Sequence, residues 1–237
     1  MTDRTEEIFR ENGYARSCEA TVIASDADGI RPDRTVFYPE GGGQPGDTGL
    51  LRLPEGPDIP IVDTRKGTEP GQIIHVPGPE AGNLRPGQRV EAVIDWDRRH
   101  RLMRMHTCLH LLSAVIVAPV TGGQVSDGKG RLDFDLAESP DKEAVTHRLN
   151  ALIEADHPVR MRWISDEELA AQPELVKTMS VAPPTGQGRV RLIDIQGIDL
   201  QPCGGTHLAS TGEIGPVRVS KIEKKGRQNR RVRVEFV

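Results

Sequence analysis

Four side chains that commonly bind metal ions occur in this sequence as two pairs with the same spacing. His106 and His110 lie four positions apart in HTCLH, and Cys203 and His207 lie four apart in CGGTH. Positions i and i+4 of a helix share one face about one turn apart, so two imidazoles there can reach one ion. Three imidazole nitrogens and one thiolate in a fourfold arrangement favour zinc over magnesium or calcium, which prefer oxygen ligands. The sequence therefore predicts one zinc ion held by these four residues.

Each pair also has a simpler interpretation. A histidine pair at this spacing arises by chance, with each imidazole hydrogen-bonded in a core, and the same holds for Cys203 and His207. The joint occurrence favours metal binding, because four of the ten His and Cys residues (7 His and 3 Cys) form two identically spaced pairs. Gly204 and Gly205 suit a turn that brings both side chains to one ion, since glycine tolerates positive φ.

The chemistry open to such a site is hydrolysis of a reactive carbonyl. The His-Glu-x-x-His motif of zinc peptidases is absent, because Thr107 stands where the glutamate base would be. With no carboxylate base in the motif, the ion itself must orient a water or polarise a carbonyl. That role suits an activated ester better than an amide, so the motif argues against a peptidase.

The histidine pair belongs to a predicted helix over residues 97–118. Asp95 or Asp97 could cap its start, and Pro119 would end it. Apolar residues recur there at steps of three and four: Leu102, Met105, Leu109, Leu112 and Ile116. Cys203 and His207 instead follow a strand-like segment, so a helix and a strand turn must meet at the ion.

The rest of the chain predicts an α+β fold in two domains. In residues 1–94, short apolar stretches alternate with Gly/Pro turns, which favours a small antiparallel β-barrel or sandwich. In residues 95–237, strands mix irregularly with a few helices, which indicates an α/β domain with the long zinc-bearing helix and an antiparallel sheet.

Composition limits the classes of function. The net charge of −4 argues against a protein that coats nucleic acid indiscriminately, but it permits a local basic surface. Three cysteines at unrelated spacings indicate free thiols or a metal ligand rather than a disulfide framework. The longest apolar run, 111–120, falls short of the roughly 20 residues that cross a bilayer, and the charged start lacks the pattern of a secretion signal. We expect a cytoplasmic location and no membrane partner.

Three spaced motifs resemble a known family. HTCLHLLSA, GKGRLDFDL and GIDLQPCGGTHLASTGEIG are similar to the editing domain of alanyl-tRNA synthetases and, more closely, to the free-standing AlaX trans-editing proteins. FYPEGGGQPGDTG resembles the glycine-rich motif of that family's β-barrel, so the resemblance runs from about Phe37 to Gly215. It implies deacylation of mischarged tRNA(Ala), chiefly seryl-tRNA(Ala) and secondarily glycyl-tRNA(Ala), with zinc bound by His106, His110, Cys203 and His207. The partner would be the charged acceptor end of tRNA(Ala), and no nucleotide cofactor is expected.

Such an enzyme must spare alanyl-tRNA(Ala), whose side chain is smaller than serine, so a polar group has to recognise the serine hydroxyl. Thr107, Thr121 and Gln124 are candidates, and we favour Thr121 and Gln124. All three also have ordinary interpretations, as a helix threonine bonded to its own backbone and as turn residues. The resemblance implies that the glycine-rich motif approaches the substrate through Gly42, Gly43 and Gln44, although its glycines could simply form a tight turn.

Two basic clusters are predicted to bind tRNA phosphates. Arg98 and Arg101 lie at the start of the zinc helix, and Lys224, Lys225 and Arg230 lie in the C-terminal hairpin. Either cluster could equally be a solvated face. A zinc-stapled tRNA-binding module without catalysis and a zinc hydrolase of small esters both remain compatible with these residues.

Overall fold

The protein was analysed as a computed structural model, which describes residues 4–79, 84–179 and 188–237. By its internal contacts the chain separates into two compact units. The first comprises residues up to 41 together with 45–100, and the second comprises 42–44 together with 101–237. The division into domains 1–94 and 95–237 stays a prediction.

The first unit contains a closed barrel of six antiparallel strands. They are β2 (Ser17–Asp26), β3 (Gly29–Pro32), β5 (Gly49–Arg52), β6 (Ile59–Lys66), β7 (Ile73–Pro77) and β8 (Arg89–Ile94), and they close in the order β2-β3-β7-β6-β5-β8. A short parallel pair, β1 (Glu6–Glu7) with β4 (Arg34–Thr35), and the one-turn helix α1 (Ile8–Glu11) also belong to this unit. Apolar side chains such as Phe37 and Leu51 fill the interior. The predicted N-terminal β-barrel is confirmed.

One segment that looks like a strand in the sequence, RTVFYPE, is mostly not paired as one. Only Arg34 and Thr35 form a strand, although the apolar residues that follow are buried. The reason lies in side chains that take up the backbone donors. Phe37 N donates to Thr35 Oγ1 at 2.9 Å, and Tyr38 N donates to Asp47 Oδ2 at 2.6 Å. The segment is therefore extended and buried without a neighbouring strand at those donors.

The second unit combines two antiparallel sheets with helices, which confirms the α+β class. Its four-stranded sheet has the order β14-β15-β10-β9, with β9 (Val120–Ser126), β10 (Lys129–Asp135), β14 (Val217–Gly226) and β15 (Asn229–Phe236). Its three-stranded sheet has the order β11-β12-β13, with β11 (Val159–Ile164), β12 (Val190–Ile195) and β13 (Asp199–Pro202). Its helices are α3 (Lys142–Glu154), α4 (Asp166–Ala170) and most of α2 (Trp96–Val115), whose residues up to His100 belong to the first unit.

Helix α2 carries the histidine pair, and it begins at the predicted cap. Arg98 N donates to Asp95 Oδ1 at 3.0 Å, so Asp95 rather than Asp97 caps the helix. Helix α3 begins at Lys142, and Asp141 is its cap, because its side chain accepts from Ala144 N. Among the described residues, no helix is long and apolar enough to cross a membrane.

Candidate metal centre

The two distant pairs of potential ligands come together in the second unit. One ligand atom from each of His106, His110, Cys203 and His207 lies within 4.8 Å of the other three. The three imidazoles are buried and Cys203 is half-buried. The folded chain therefore assembles four donors from α2 and from the turn after β13.

The donor set fits zinc in both chemistry and spacing. Cys203 Sγ lies 3.5 Å from His106 Nε2 and 3.2 Å from His207 Nε2. Ligands of a tetrahedral zinc ion, at about 2.1 Å for nitrogen and about 2.3 Å for sulfur, lie about 3.5 Å from each other. Imidazole and thiolate are also the donors that zinc prefers. These four residues could therefore hold one metal ion.

The electrostatics of the cluster favour a thiolate. Burial raises the pKa of Cys203, but the nearby His106 and His207 outweigh it and hold that pKa well below its usual range. Burial lowers the pKa of His110, yet hydrogen bonds to Asp199 and Cys203 raise it to about 9. Burial also lowers the pKa of His207, as does the neighbouring His106. The thiolate is the form of cysteine that binds metals.

Two features of the turn after β13 bring Cys203 and His207 close to α2. A Cβ atom on Gly205 would stand 2.2 Å from His106 Cε1, so only glycine fits there. Arg191, a buried residue of β12, donates from Nη1 to the carbonyl oxygens of Cys203 at 3.0 Å and of Gly205 at 2.7 Å. The glycine permits the approach, and the arginine fixes the turn.

The glycine-rich segment contributes a contact to one of the potential ligands. Gln44 is fully buried, and its Oε1 lies 2.8 Å from His106 Nδ1. The same oxygen accepts a hydrogen bond from Thr206 N at 3.1 Å, while Gln44 Nε2 donates to Thr206 Oγ1 at 2.9 Å. Because its oxygen is the acceptor, His106 Nδ1 must be the donor, which leaves Nε2 free to ligate. The role of Gln44 toward substrate stays a prediction.

The other two imidazoles are held at Nδ1 as well, by residues that the sequence analysis did not assign to this role. Asp199 Oδ2 lies 3.1 Å from His110 Nδ1, and Thr107 Oγ1 lies 3.2 Å from His207 Nδ1. A signal for Asp199 was present in the motif DLQPC. Asp199, Gln201 and Cys203 alternate along it, and alternate residues of a strand face the same side.

The residues predicted to recognise the serine hydroxyl have different surroundings. Thr121 Oγ1 donates to the Asp133 carbonyl at 3.2 Å and accepts from Asn229 Nδ2 at 2.9 Å. Gln124 is exposed, and its Oε1 accepts from Arg131 Nε at 3.3 Å. The hydroxyl of Thr121 is thus engaged within the sheet, whereas the Gln124 amide points to solvent.

Gly42 and Gly43 lie beside the strand that carries Gln124. Both have positive φ, at 58° and 81°. A Cβ atom on Gly43 would stand 2.8 Å from the carbonyl oxygen of Gly123, and Val125 N donates to the Gly43 carbonyl at 2.7 Å. The segment 42–44 therefore connects β9 with His106, and the structure brings this part of the predicted substrate site next to the potential ligands.

The arginines at the start of α2 do not form one exposed cluster. Arg99 is fully buried and pairs with Asp47. Arg98 donates to a carbonyl of the glycine-rich segment at 2.8 Å, and the exposed pair Arg101–Asp127 has a distance of 2.6 Å. The two predicted phosphate contacts at this helix, Arg98 and Arg101, stay a prediction.

The C-terminal hairpin β14–β15 is exposed at two of its three predicted contacts. Lys224 and Lys225 are exposed, and Lys225 Nζ lies 3.5 Å from Glu223. Arg230 differs, since it is buried and its guanidinium donates to backbone carbonyls, including that of Ala137. These contacts give Arg230 a structural role, and the tRNA-binding assignments stay predictions.

Two family models match the chain. The model described as "Threonyl and Alanyl tRNA synthetase second additional domain" matches residues 190–233, which include Cys203 and His207. The model described as "tRNA synthetases class II (A)" matches residues 6–98. One match covers part of the metal-ligand residues, and the other covers the barrel.

The chain is also similar to curated proteins over most of its length. It is 40% identical to the alanyl-tRNA editing protein AlaX-M of Methanosarcina acetivorans, over 96% of this chain and 97% of that protein. It is 34% identical to the AlaX-M of Saccharolobus solfataricus over the same shares. It is 36% identical to the alanine–tRNA ligase of Sulfurisphaera tokodaii, over 98% of this chain but 26% of that larger protein. The motifs, the barrel and this coverage agree, and the chain belongs to the AlaX-type alanyl-tRNA editing proteins.

Proposed function

We propose that this protein hydrolyses the ester bond of mischarged tRNA(Ala), with seryl-tRNA(Ala) as the main substrate and glycyl-tRNA(Ala) as a second one. The observation that carries the proposal is the buried group of His106, His110, Cys203 and His207. It occurs in a chain whose relatives are named as alanyl-tRNA editing proteins. We further propose that these four residues bind one zinc ion and that the protein acts in the cytoplasm.

In the proposed reaction, water adds to the ester carbonyl and the bond between the carbonyl carbon and the ribose oxygen breaks. The ribose oxygen takes up a proton from the water to become a hydroxyl, and serine leaves with a free carboxylate. Bound zinc would supply a Lewis acid for the carbonyl or a binding point for the substrate. Thr107 does not serve as a base, because its hydroxyl accepts from Leu208 N at 3.2 Å and contacts His207 Nδ1. In this proposal the ester carbonyl is held beside the four ligand residues.

Selectivity against alanine requires a group that bonds the serine hydroxyl, since a pocket cannot exclude a smaller side chain by size. We propose Gln124 for this role before Thr121, because the Gln124 amide is exposed while the Thr121 hydroxyl has partners in the sheet. The backbone of Gly42, Gly43 and Gln44 would line the same side of the substrate. This assignment is supported by the contact of Gly43 with β9.

For tRNA binding, we propose Lys224 and Lys225 on the hairpin, together with Arg98 and Arg101 near the start of α2. The exposure of the two lysines supports their assignment. Arg230 is left out of this set because its guanidinium is buried. Neutralising phosphates releases counterions, so binding of tRNA should weaken steeply as salt rises.

One observation favours a second candidate, a tRNA-binding module in which zinc has only a structural role. Catalytic zinc sites keep one position open, whereas four protein ligands would close the coordination sphere. Both candidates require zinc and tRNA. Only the editing enzyme releases serine from the charged tRNA.

The deciding experiment measures loss of the amino acid from seryl-, glycyl- and alanyl-tRNA(Ala) with purified protein, alongside its zinc content. We expect seryl-tRNA(Ala) to be cleaved faster than alanyl-tRNA(Ala) by about 10² or more, because a site built for a hydroxyl strongly rejects the analogue that lacks it. Cys203→Ala should lose zinc and cleavage together, while Cys18→Ala, in the barrel, should keep both. Full cleavage by zinc-free protein would remove the metal from the reaction, and tRNA binding without cleavage would favour the second candidate.

A further inference from the structure

We propose that Asp199 is a positioning residue of the metal centre, which holds the His110 imidazole by Nδ1 so that Nε2 faces the ion. The inference rests on the zinc site proposed above. It adds a residue that binds no metal itself but that sets how tightly the metal is held.

The hydrogen-bond partners of Asp199 determine which nitrogen of His110 carries the proton. Its side chain is fully buried, and Oδ2 lies 3.1 Å from His110 Nδ1. The same oxygen accepts from Gln201 Nε2 at 2.7 Å, and Oδ1 forms an ion pair with Lys177. Gln201 Nε2 also lies 3.2 Å from His110 Nδ1, but its two hydrogens are accounted for by Asp199 Oδ2 and Ser113 Oγ. An ionised carboxylate only accepts hydrogen bonds, so the contact with Asp199 requires the proton on His110 Nδ1. The lone pair of this imidazole is then on Nε2, the atom that would ligate.

Asp199 differs in charge from the partners of the other two imidazoles. His106 is held by the amide of Gln44, and His207 is held by the hydroxyl of Thr107. Among these three described partners, Asp199 is the anion. A carboxylate that accepts a hydrogen bond from the non-ligating nitrogen of a histidine orients the ring and makes the other nitrogen a stronger metal ligand. Loss of such a carboxylate lowers metal affinity about 10- to 100-fold.

The buried carboxylate could also be explained as a mere tether between β13 and Lys177. The two roles predict opposite effects for Lys177. If Asp199 acts on the metal through His110, removing the lysine leaves that hydrogen bond intact and makes the carboxylate a better acceptor. If the ion pair only stabilises the fold, removing either partner should do similar damage.

The experiment compares zinc dissociation constants of full-length variants, measured by competition with a chromophoric chelator. Asp199→Asn should raise the dissociation constant about 10- to 100-fold. Its single amide oxygen must serve Lys177 and Gln201 as well as His110. Lys177→Met should bind zinc at least as tightly as the wild type. The control is Asp194→Asn on the adjacent strand β12, where a half-buried carboxylate pairs with the exposed Arg162 at 3.4 Å, and it should leave zinc affinity unchanged.

The outcomes separate this inference from the proposed function. If the wild-type protein binds no zinc, both fail. If the wild type binds zinc and Asp199→Asn binds it equally well, or if Lys177→Met weakens zinc binding as much as Asp199→Asn, only the positioning role fails. Should Asp199→Asn not fold, nitrogen-15 NMR of the zinc-loaded wild type decides. A protonated Nδ1 on His110 supports the inference, and a protonated Nε2 overturns it.

Discussion

The ion pair between Arg99 and Asp47 gives the sharpest test of how the glycine-rich motif contributes to stability. The two side chains are 0% and 1% exposed. Arg99 Nε lies 3.0 and 2.9 Å from the two carboxylate oxygens, and Arg99 also donates to the carbonyls of Gly13 and Val36. Asp47→Ala would leave a buried guanidinium without its counter-ion.

The expected cost follows from that burial. Removing one partner of a buried ion pair destabilises a protein by about 3–5 kcal/mol, because the remaining charge stays desolvated. The same helix offers a matched exposed pair, Arg101 with Asp127, whose side chains are 41% and 48% exposed. An exposed pair contributes about 0–1 kcal/mol, so Asp127→Ala should change stability little. A double variant, Arg99→Met with Asp47→Leu, should recover part of the loss, since a well-packed apolar pair can replace a buried ionic one.

The assay is equilibrium urea unfolding followed by tryptophan fluorescence. The chain has two tryptophans, and Trp96 lies in the same unit as the ion pair, 5.7 Å from the Tyr14 ring. Trp163 lies in the second unit together with the control residue Asp127, so the two native tryptophans report both the unit of Asp47 and the unit of the control. We expect Asp47→Ala to lower the unfolding free energy by about 3–5 kcal/mol. A loss within about 1 kcal/mol of that of Asp127→Ala would refute the reasoning, because the buried pair would then behave like an exposed one.

Two further predictions concern the site. Gly205→Ala should lower zinc affinity at least about 10-fold, as expected when the support of a ligand is disturbed, because its Cβ would stand 2.2 Å from His106 Cε1. The control in the same chelator competition is Gly226→Ala, whose added Cβ atom would have no neighbour closer than 4.0 Å. Equal zinc affinities of the two variants would contradict this packing argument. Gln124→Leu should reduce cleavage of seryl-tRNA(Ala), while its unfolding free energy in urea stays within about 0.5 kcal/mol of the wild type, as for other exposed positions. Thr121→Val should instead lower the unfolding free energy. Unchanged cleavage by Gln124→Leu would rule out Gln124 as the residue that binds the serine hydroxyl.

Local patterns in the sequence were sufficient for the elements of the fold. Spacing of apolar residues predicted helix α2, although Met103, Cys108 and Leu111, which lie outside that spacing, are buried as well. Alternation with Gly/Pro turns predicted the barrel. Both patterns depend on neighbours within a few positions. Local patterns predicted the wrong structure where a side chain distant in sequence bonds to the backbone. The stretch after Thr35 has the composition of a strand, but Asp47 accepts the Tyr38 backbone donor that a neighbouring strand would have used.

The sequence alone also determined which four side chains could bind a metal, because ligand chemistry depends on residue type and the identical spacing singled them out. Only the tertiary structure decided which side chains form hydrogen bonds with those potential ligands. Gln44 and Asp199 reach His106 and His110 from distant parts of the chain. The alternation in DLQPC places Asp199 on the side of Cys203, but no local pattern records which imidazole it contacts. The burial of charged residues was likewise decided by the tertiary structure, since Arg99 and Arg230 look like surface cations in the sequence but are buried in the fold. Burial and partner choice depend on long-range packing, which fixes the environment of a side chain independently of its neighbours in sequence.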